Sequence, residues 1–241
     1  MDNLAAFERD GYLVLDIFSE GEVARMKKML SDLIDPPVPG HPRLYIHAAS
    51  DRPLPNLDPY NPYAVWKIVN TPLAGDAWYS LIHDARILDV VSELLGPDIN
   101  FHMGFARLRP AGLQAEEGWH RDLDTDQHTL PELVTALIYL DEMDAESGAT
   151  LVWPGSHRRC EPGPGPEEHE AKPVLARPGS VLFLHCLTVH RASTNRTARH
   201  RSILVNEYKS ARTVELTPND AAFGDLPLRR GGRNPVPQPA G

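Results

Sequence analysis

Cysteine is nearly absent: Cys160 and Cys186 are the only two in 241 residues. A secreted disulfide scaffold would carry more, so two free thiols in a reducing compartment are expected. Positive charge is also short. Lys and Arg total 24 against 33 Asp and Glu, for a net charge of −9 and a pI near 5.6. Phosphate backbones and anionic membrane surfaces are bound by clustered Lys and Arg, so a nucleic-acid or membrane partner is not expected. No run approaches the roughly 18 apolar residues of a membrane span. Met1-Asp2-Asn3-Leu4 has no basic segment leading into an apolar one, so no signal peptide is expected. No repeat of fixed period is visible. The expectation is a soluble, cytoplasmic monomer or homodimer acting on a small molecule.

What is plentiful is proline, 23 residues concentrated at 36–62 and 154–178. Both clusters read as loops rather than linkers, because the flanking segments need a shared core. Hydrophobic content of 41% suffices for one. The tail 229–241, RRGGRNPVPQPAG, has almost no apolar content and is expected to be disordered. That leaves 1–228 as a single domain.

The first third reads as helical. Ser19-x-x-Glu22 is a capping box, and Val23, Met26, Leu30, Leu33 and Ile34 follow at helical spacing. A short strand is predicted at 11–15, before that helix. A second helix is predicted over 84–95, with Ile87, Leu88, Val91, Leu94 and Leu95 on one face and Gly96 ending it. A shorter one is predicted over 74–82. From Ile99 the period becomes two. Strands are predicted at 100–108, 119–122, 133–140, 150–153, 172–176, 180–185, 187–190 and 201–208, separated by Gly- and Pro-containing turns. Such a series suggests a mainly β fold: a jelly roll, or double-stranded β-helix, with a helical N-terminal part packed outside it.

Trp119-His120-Arg121-Asp122 carries the chemistry. Side chains at i and i+2 of an extended segment point to one side, so His120 and Asp122 can hold one metal. A second histidine from a distant strand would complete a two-histidine, one-carboxylate set with open positions opposite, which suits oxygen-activating non-haem Fe(II). Among eleven histidines, His185 and His190 compete for that place, and spacing alone leaves the choice open. Arg201 lies inside an apolar strand, where its charge needs a partner. A dicarboxylic cosubstrate would serve, through two parallel hydrogen bonds, and so would a salt bridge within the chain.

Over residues 7–208 the chain resembles the phytanoyl-CoA dioxygenase family of Fe(II)- and 2-oxoglutarate-dependent oxygenases. Phe7-Glu8-Arg9-Asp10-Gly11-Tyr12-Leu13-Val14 is similar to the family's opening strand, and Trp119-His120-Arg121-Asp122 to its W-H-x-D motif. Glu146-Ser147-Gly148-Ala149-Thr150-Leu151 with Pro154-Gly155-Ser156-His157 resembles its N-G-x-L…P-G-S-H segment. His190, Asn195, Thr197 and Arg201 resemble its distal H…N-x-[ST]…R motif. The resemblance implies His120, Asp122 and His190 as metal ligands, with His185 a structural or supporting residue. It implies that Arg201 pairs with the distal carboxylate of 2-oxoglutarate and that Lys67 lies near the same cosubstrate. The chain departs from the pattern at Ala192, Arg121 and Leu137, and none of these removes a ligand.

Halogenating relatives replace the carboxylate with a small residue, so Asp122 implies hydroxylation, or a related desaturation or ring closure, with O2 consumed and succinate and CO2 released. Candidate pocket walls are the segments 44–47, 111–118 and 123–130, with Phe105, Arg107, Trp119 and Trp153 as lining residues. Arg107 and Arg121 read either as acid-binding or as solvated charges. The compact chain implies a small-molecule, secondary-metabolite type of substrate. The rival readings are a cupin-like metal enzyme that does not use 2-oxoglutarate and a catalytically silent binding protein on the same scaffold.

Overall fold

The computed structural model describes residues 3–34, 41–48, 65–109, 118–123, 128–159, 165–167, 169–216, 223 and 225–234. The Pro-rich residues 49–62, the proposed wall 111–117, Cys160 and the tail 235–241 lie outside them. No helix among the described residues is long and apolar enough to cross a membrane.

Helix α1 (Asn3–Asp10) leads through Gly11 into strand β1 (Tyr12–Asp16). The opening segment is therefore not one strand: Phe7 to Asp10 are helical, and the turn falls at Gly11. Its φ of +80° is the left-handed conformation that favours glycine, and a Cβ there would stand 2.4 Å from both His157 Nδ1 and Thr188 Oγ1. Helix α2 (Glu20–Ile34) starts at the expected capping box. The backbone N–H and hydroxyl of Ser19 both donate to Glu22 Oε2 at 2.8 Å. Strands β2 (Tyr45–Ala48) and β3 (Val65–Val69) were not anticipated; β2 takes up the proposed wall 44–47. Helices α3 (Asp76–Leu81) and α4 (Ala85–Leu95) follow, α4 capped by Asp84, whose side chain accepts the Arg86 N–H at 3.0 Å.

The remaining strands are β4 (Ile99–Arg109), β5 (Leu133–Tyr139), β6 (Thr150–Val152), β7 (Lys172–Pro173), β8 (Ser180–His185), β9 (His190–Ala192), β10 (Arg201–Ser210) and β11 (Leu226–Arg229). The predicted strand at 119–122 reduces to one bridge between His120 and His190. The predicted strand at 187–190 is a turn that ends in β9.

The larger sheet runs β1-β8-β5-β10-β4-β3-β2, with β11 also on β4, and the smaller runs β7-β6-β9. All their pairings are antiparallel. Two opposed sheets with helices outside the larger one make the jelly roll. Alternation along the central strands divides the core. Val134, Ala136 and Ile138 of β5 and Val181 and Phe183 of β8 pack with Ile87, Leu88 and Val91 of α4 and with Val23, Met26 and Leu30 of α2. Leu137, Tyr139, Leu182, Leu184, Ile203 and Val205 face inward and meet Val152 of the smaller sheet and Val174, just past β7. Covering both faces makes β5 and β8 nearly continuous apolar runs in the sequence.

Residue 229 closes β11 and is not part of a tail. Arg229 is buried: its Nη2 lies 2.6 Å from Asp89 Oδ1, and Nη1 donates to the Leu88 carbonyl at 3.0 Å. The described residues continue to Asn234. A charged side chain at an apolar surface is tolerated because α4 offers both a carboxylate and a carbonyl with a second lone pair to accept with.

Candidate metal centre

His120 and His190 exchange backbone hydrogen bonds, His120 N–H to His190 O at 3.0 Å and the reverse at 2.9 Å. This bridge sets their rings side by side, with centroids 4.3 Å apart. Two residues on, the Asp122 N–H donates to the Cys186 carbonyl at 3.1 Å. That bond turns the Asp122 carboxylate back toward β9, so that Oδ1 stands 3.4 Å from His190 Nε2. One ligand atom from each of His120, Asp122 and His190 lies within 4.8 Å of the others.

The surrounding hydrogen bonds select the atoms that face the centre. His120 Nδ1 contacts the Gly118 carbonyl at 2.9 Å, and His190 Nδ1 the Thr188 carbonyl at 3.0 Å. A carbonyl only accepts, so each Nδ1 carries the proton and each Nε2 keeps its lone pair. The Thr135 hydroxyl donates to Asp122 Oδ2 at 2.6 Å, which leaves Oδ1 for the centre. His190 is buried and His120 exposed, so the cluster opens to solvent on the His120 side.

His185 does not join this group. Its Nδ1 accepts the Leu187 N–H at 3.1 Å, and its ring packs against Phe7 and His157. Burial pulls its pKa down to about 4, with His157 adding to the effect, so it is a neutral packing residue. Arg121 is occupied as well: its Nη2 donates to the carbonyls of Arg159 at 2.9 Å and Ser156 at 3.4 Å.

Arg201 opens β10, only 3% exposed and directly opposite Arg109 of β4. Its Nη1 donates to the Gly148 carbonyl and lies 3.8 Å from Met143 Sδ. Gly148 has φ +83°, and a Cβ there would be 2.7 Å from the Ser193 carbonyl oxygen. Only glycine lets these two backbone segments approach so closely. Asn195, fully buried, clamps the turn before Arg201: it donates to the Arg199 carbonyl at 2.8 Å and accepts from the Thr197 hydroxyl at 2.8 Å. Tyr139 beside Arg201 donates to Thr150 Oγ1 at 3.2 Å. Burial raises its pKa to about 12, the mark of a dry surrounding.

Lys67 stands opposite Arg107 across β3 and β4, with Nζ 5.1 Å from the centre of the Phe105 ring; Arg107 lies over Phe105 and Trp66. Lys67, Phe105 and Arg107 therefore share one wall. Trp119 is covered by the Arg191 guanidinium at 4.7 Å and the buried Trp153 by that of Arg159 at 3.8 Å.

Three nearby residues carry no signal in the sequence: Thr135, Arg109 and Glu207. A threonine or a charged residue in a strand reads as β propensity or a solvent face. Glu207, opposite Thr135 on β10, is largely covered, its side chain 13% exposed. Burial first, then the charge of Asp122, raises its pKa, while Lys67 lowers it.

A family model described as "Phytanoyl-CoA dioxygenase (PhyH)" matches residues 7–203. An ectoine dioxygenase of Sphingopyxis alaskensis is 28% identical over 226 residues, covering 80% of this chain and 70% of its own. A probable alpha-ketoglutarate-dependent hypophosphite dioxygenase of Stutzerimonas stutzeri is 29% identical over 167 residues, 60% of this chain and 57% of its own. Among solved structures, EctD from S. alaskensis with 2-oxoglutarate and 5-hydroxyectoine superposes with a TM-score of 0.73 at 25% identity, covering 97% of this chain and 84% of that one. The same enzyme with bound Fe gives 0.72 at 26% identity, over 89% and 78%.

Proposed function

The chain belongs to the phytanoyl-CoA dioxygenase family of Fe(II)- and 2-oxoglutarate-dependent oxygenases, and on that premise we propose that it hydroxylates a C–H bond of a small polar molecule. His120, Asp122 and His190 are the iron ligands in this reading. The observation that carries it is the convergence of two imidazole Nε2 atoms and one carboxylate oxygen, each turned inward by a hydrogen bond on its far side. The donor set fits Fe(II), for which two histidines and one carboxylate leave positions open to cosubstrate and O2. Bound there, Fe(II), 2-oxoglutarate and O2 supply the oxidation of a substrate C–H bond, with succinate and CO2 released.

The chain's own residues bind, orient and exclude water. Arg201 neutralises the distal carboxylate of 2-oxoglutarate through a two-pronged hydrogen bond. Its buried position beside Tyr139 strengthens that attraction, because little water screens it. Asp122, gripped by Thr135, fills a coordination position with a carboxylate, which favours hydroxylation over chloride transfer. Lys67 flanks the cosubstrate. Phe105 and Arg107 form the substrate wall with it, and Glu207 adds a largely covered acid within reach of the Lys67 charge. Trp119 and Trp153, under the guanidinium groups of Arg191 and Arg159, are the remaining candidates for the pocket lining. A cytoplasmic monomer or homodimer is the setting we infer from the acidic charge and the buried free thiol of Cys186.

The test is anaerobic purification, addition of Fe(II), and measurement of succinate released from 2-oxoglutarate on admitting O2. Wild type is expected to release succinate and Asp122→Ala none. Absence of both 2-oxoglutarate binding and turnover, with Arg201→Ala indistinguishable from wild type, would overturn the reading.

A further inference from the structure

A second set of metal-competent side chains converges from three other segments. His102 lies in β4 where its register with β10 steps from Met103–Glu207 to Phe101–Tyr208; His102 is the residue inserted between. Such a bulge re-aims the inserted side chain. His128 and Glu215 face each other across an isolated antiparallel bridge. The bridge is fixed by Thr129 N–H to the Val214 carbonyl at 2.9 Å and Val214 N–H to Thr129 Oγ1 at 3.0 Å. One ligand atom from each of His102, His128 and Glu215 lies within 4.8 Å of the other two.

The histidines are buried, 4% and 5% exposed, with ring centroids 5.3 Å apart at 74°. Among the described residues, neither ring nitrogen of His128 has a hydrogen-bond partner. A buried polar group left unsatisfied is destabilising, and a bound ion would supply the missing partner. Burial lowers the pKa of both rings, His102 to about 4, with Lys209 contributing. They are therefore neutral imidazoles, the form that ligates. Lys209 does not repel a cation with its full charge, since Asp225 pairs with it at 2.7 Å. Glu207 Oε2, 3.7 Å from His102 Nε2, adds a carboxylate at the edge of the group.

We propose that His102, His128 and Glu215 form a second metal site, separate from the iron ligands, for a divalent ion of the Zn(II) type. Two imidazoles and a carboxylate suit that ion, which takes four ligands in structural sites. It would staple the 128–130 and 213–216 segments to β4. Because His128 follows Asp122 by six residues, it would also tether the segment that carries the iron carboxylate.

The test strips the full-length protein with chelator, saturates it with Zn(II), and counts metal per chain after gel filtration. Wild type should hold two ions, Asp122→Ala one, and Asp122→Ala with His128→Ala none. In the Asp122→Ala background, Co(II) should give a visible absorption band that Glu215→Gln abolishes, and Zn(II) should raise the melting temperature only while Glu215 is present. Glu215→Gln keeps the test decisive if His128→Ala does not fold, because Glu215 is only partly buried. No zinc retained by Asp122→Ala, or a band and melting shift unchanged by Glu215→Gln, would overturn the proposal.

Discussion

Thr135 donates its hydroxyl hydrogen to Asp122 Oδ2 at 2.6 Å, joining a central strand of the larger sheet to a carboxylate on a loop. The loop residue has little regular structure around it, so this bond fixes which oxygen faces the histidines. Thr135→Val keeps the side-chain shape and removes the donor. Iron affinity is expected to fall about 10–100-fold with the circular dichroism spectrum unchanged. Anaerobic Fe(II) titration reads the effect, and an unchanged affinity would mean that the loop alone orients Asp122.

Arg201→Ala is expected to raise the KM for 2-oxoglutarate by roughly 100-fold, since truncating one member of a buried charge pair costs about 2–5 kcal/mol. Arg201→Lys should recover only part of the loss, because an ammonium cannot form the two-pronged contact. Steady-state kinetics at varied 2-oxoglutarate distinguishes the two variants. An alanine variant with unaltered KM would assign the cosubstrate to another cation, with Arg109 the first to examine.

Gly148→Ala tests the close approach of two backbone segments. Its φ of +83° and the 2.7 Å gap to the Ser193 carbonyl leave no room for a methyl group. A loss of about 2–4 kcal/mol in stability is expected from conformational strain plus the displaced chain. Because the Gly148 carbonyl accepts from Arg201, the KM for 2-oxoglutarate should rise as well. Urea unfolding and the same kinetics provide both readouts; a neutral outcome in both would show that the loop relaxes freely.

The burial of His185 predicts a pH dependence of stability. Its pKa falls from about 6.5 when unfolded to about 4 in the fold. Between those values the unfolded chain takes up a proton that the folded chain refuses. The stabilisation is complete above pH 6.5 and is lost as pH falls toward 4. His185→Gln should reduce the slope of unfolding free energy against pH in that window, by at most about 1.4 kcal/mol per pH unit. Denaturant melts at several pH values measure it, and an unchanged slope would assign the dependence elsewhere.

Local signals in the sequence account for much of this architecture. The Ser19–Glu22 capping box and the apolar spacing of α4 announce their helices, and β5 and β8 announce themselves because both of their faces are covered. His120 and Asp122 are legible because two residues of extended chain place them together. Arg229 misleads, since its burial depends on Asp89 and a helix carbonyl far away in the chain. Helix α1 contributes Phe7 as its one buried residue, too little to show a period. Thr135, Glu207 and Arg109 stay hidden for a different reason. Their roles depend on which strand lies beside which, and alternation within one strand does not encode its neighbours.

The strand that carries Thr135 has every residue buried and lies between β8 and β10. Its amides should exchange with solvent deuterium only when the whole domain opens, whereas exposed edges exchange through local fraying. The grip on the Asp122 carboxylate is therefore anchored in the slowest-exchanging part of the molecule. Fluctuation on the exposed His120 side would then leave the proposed iron ligand Asp122 in its orientation.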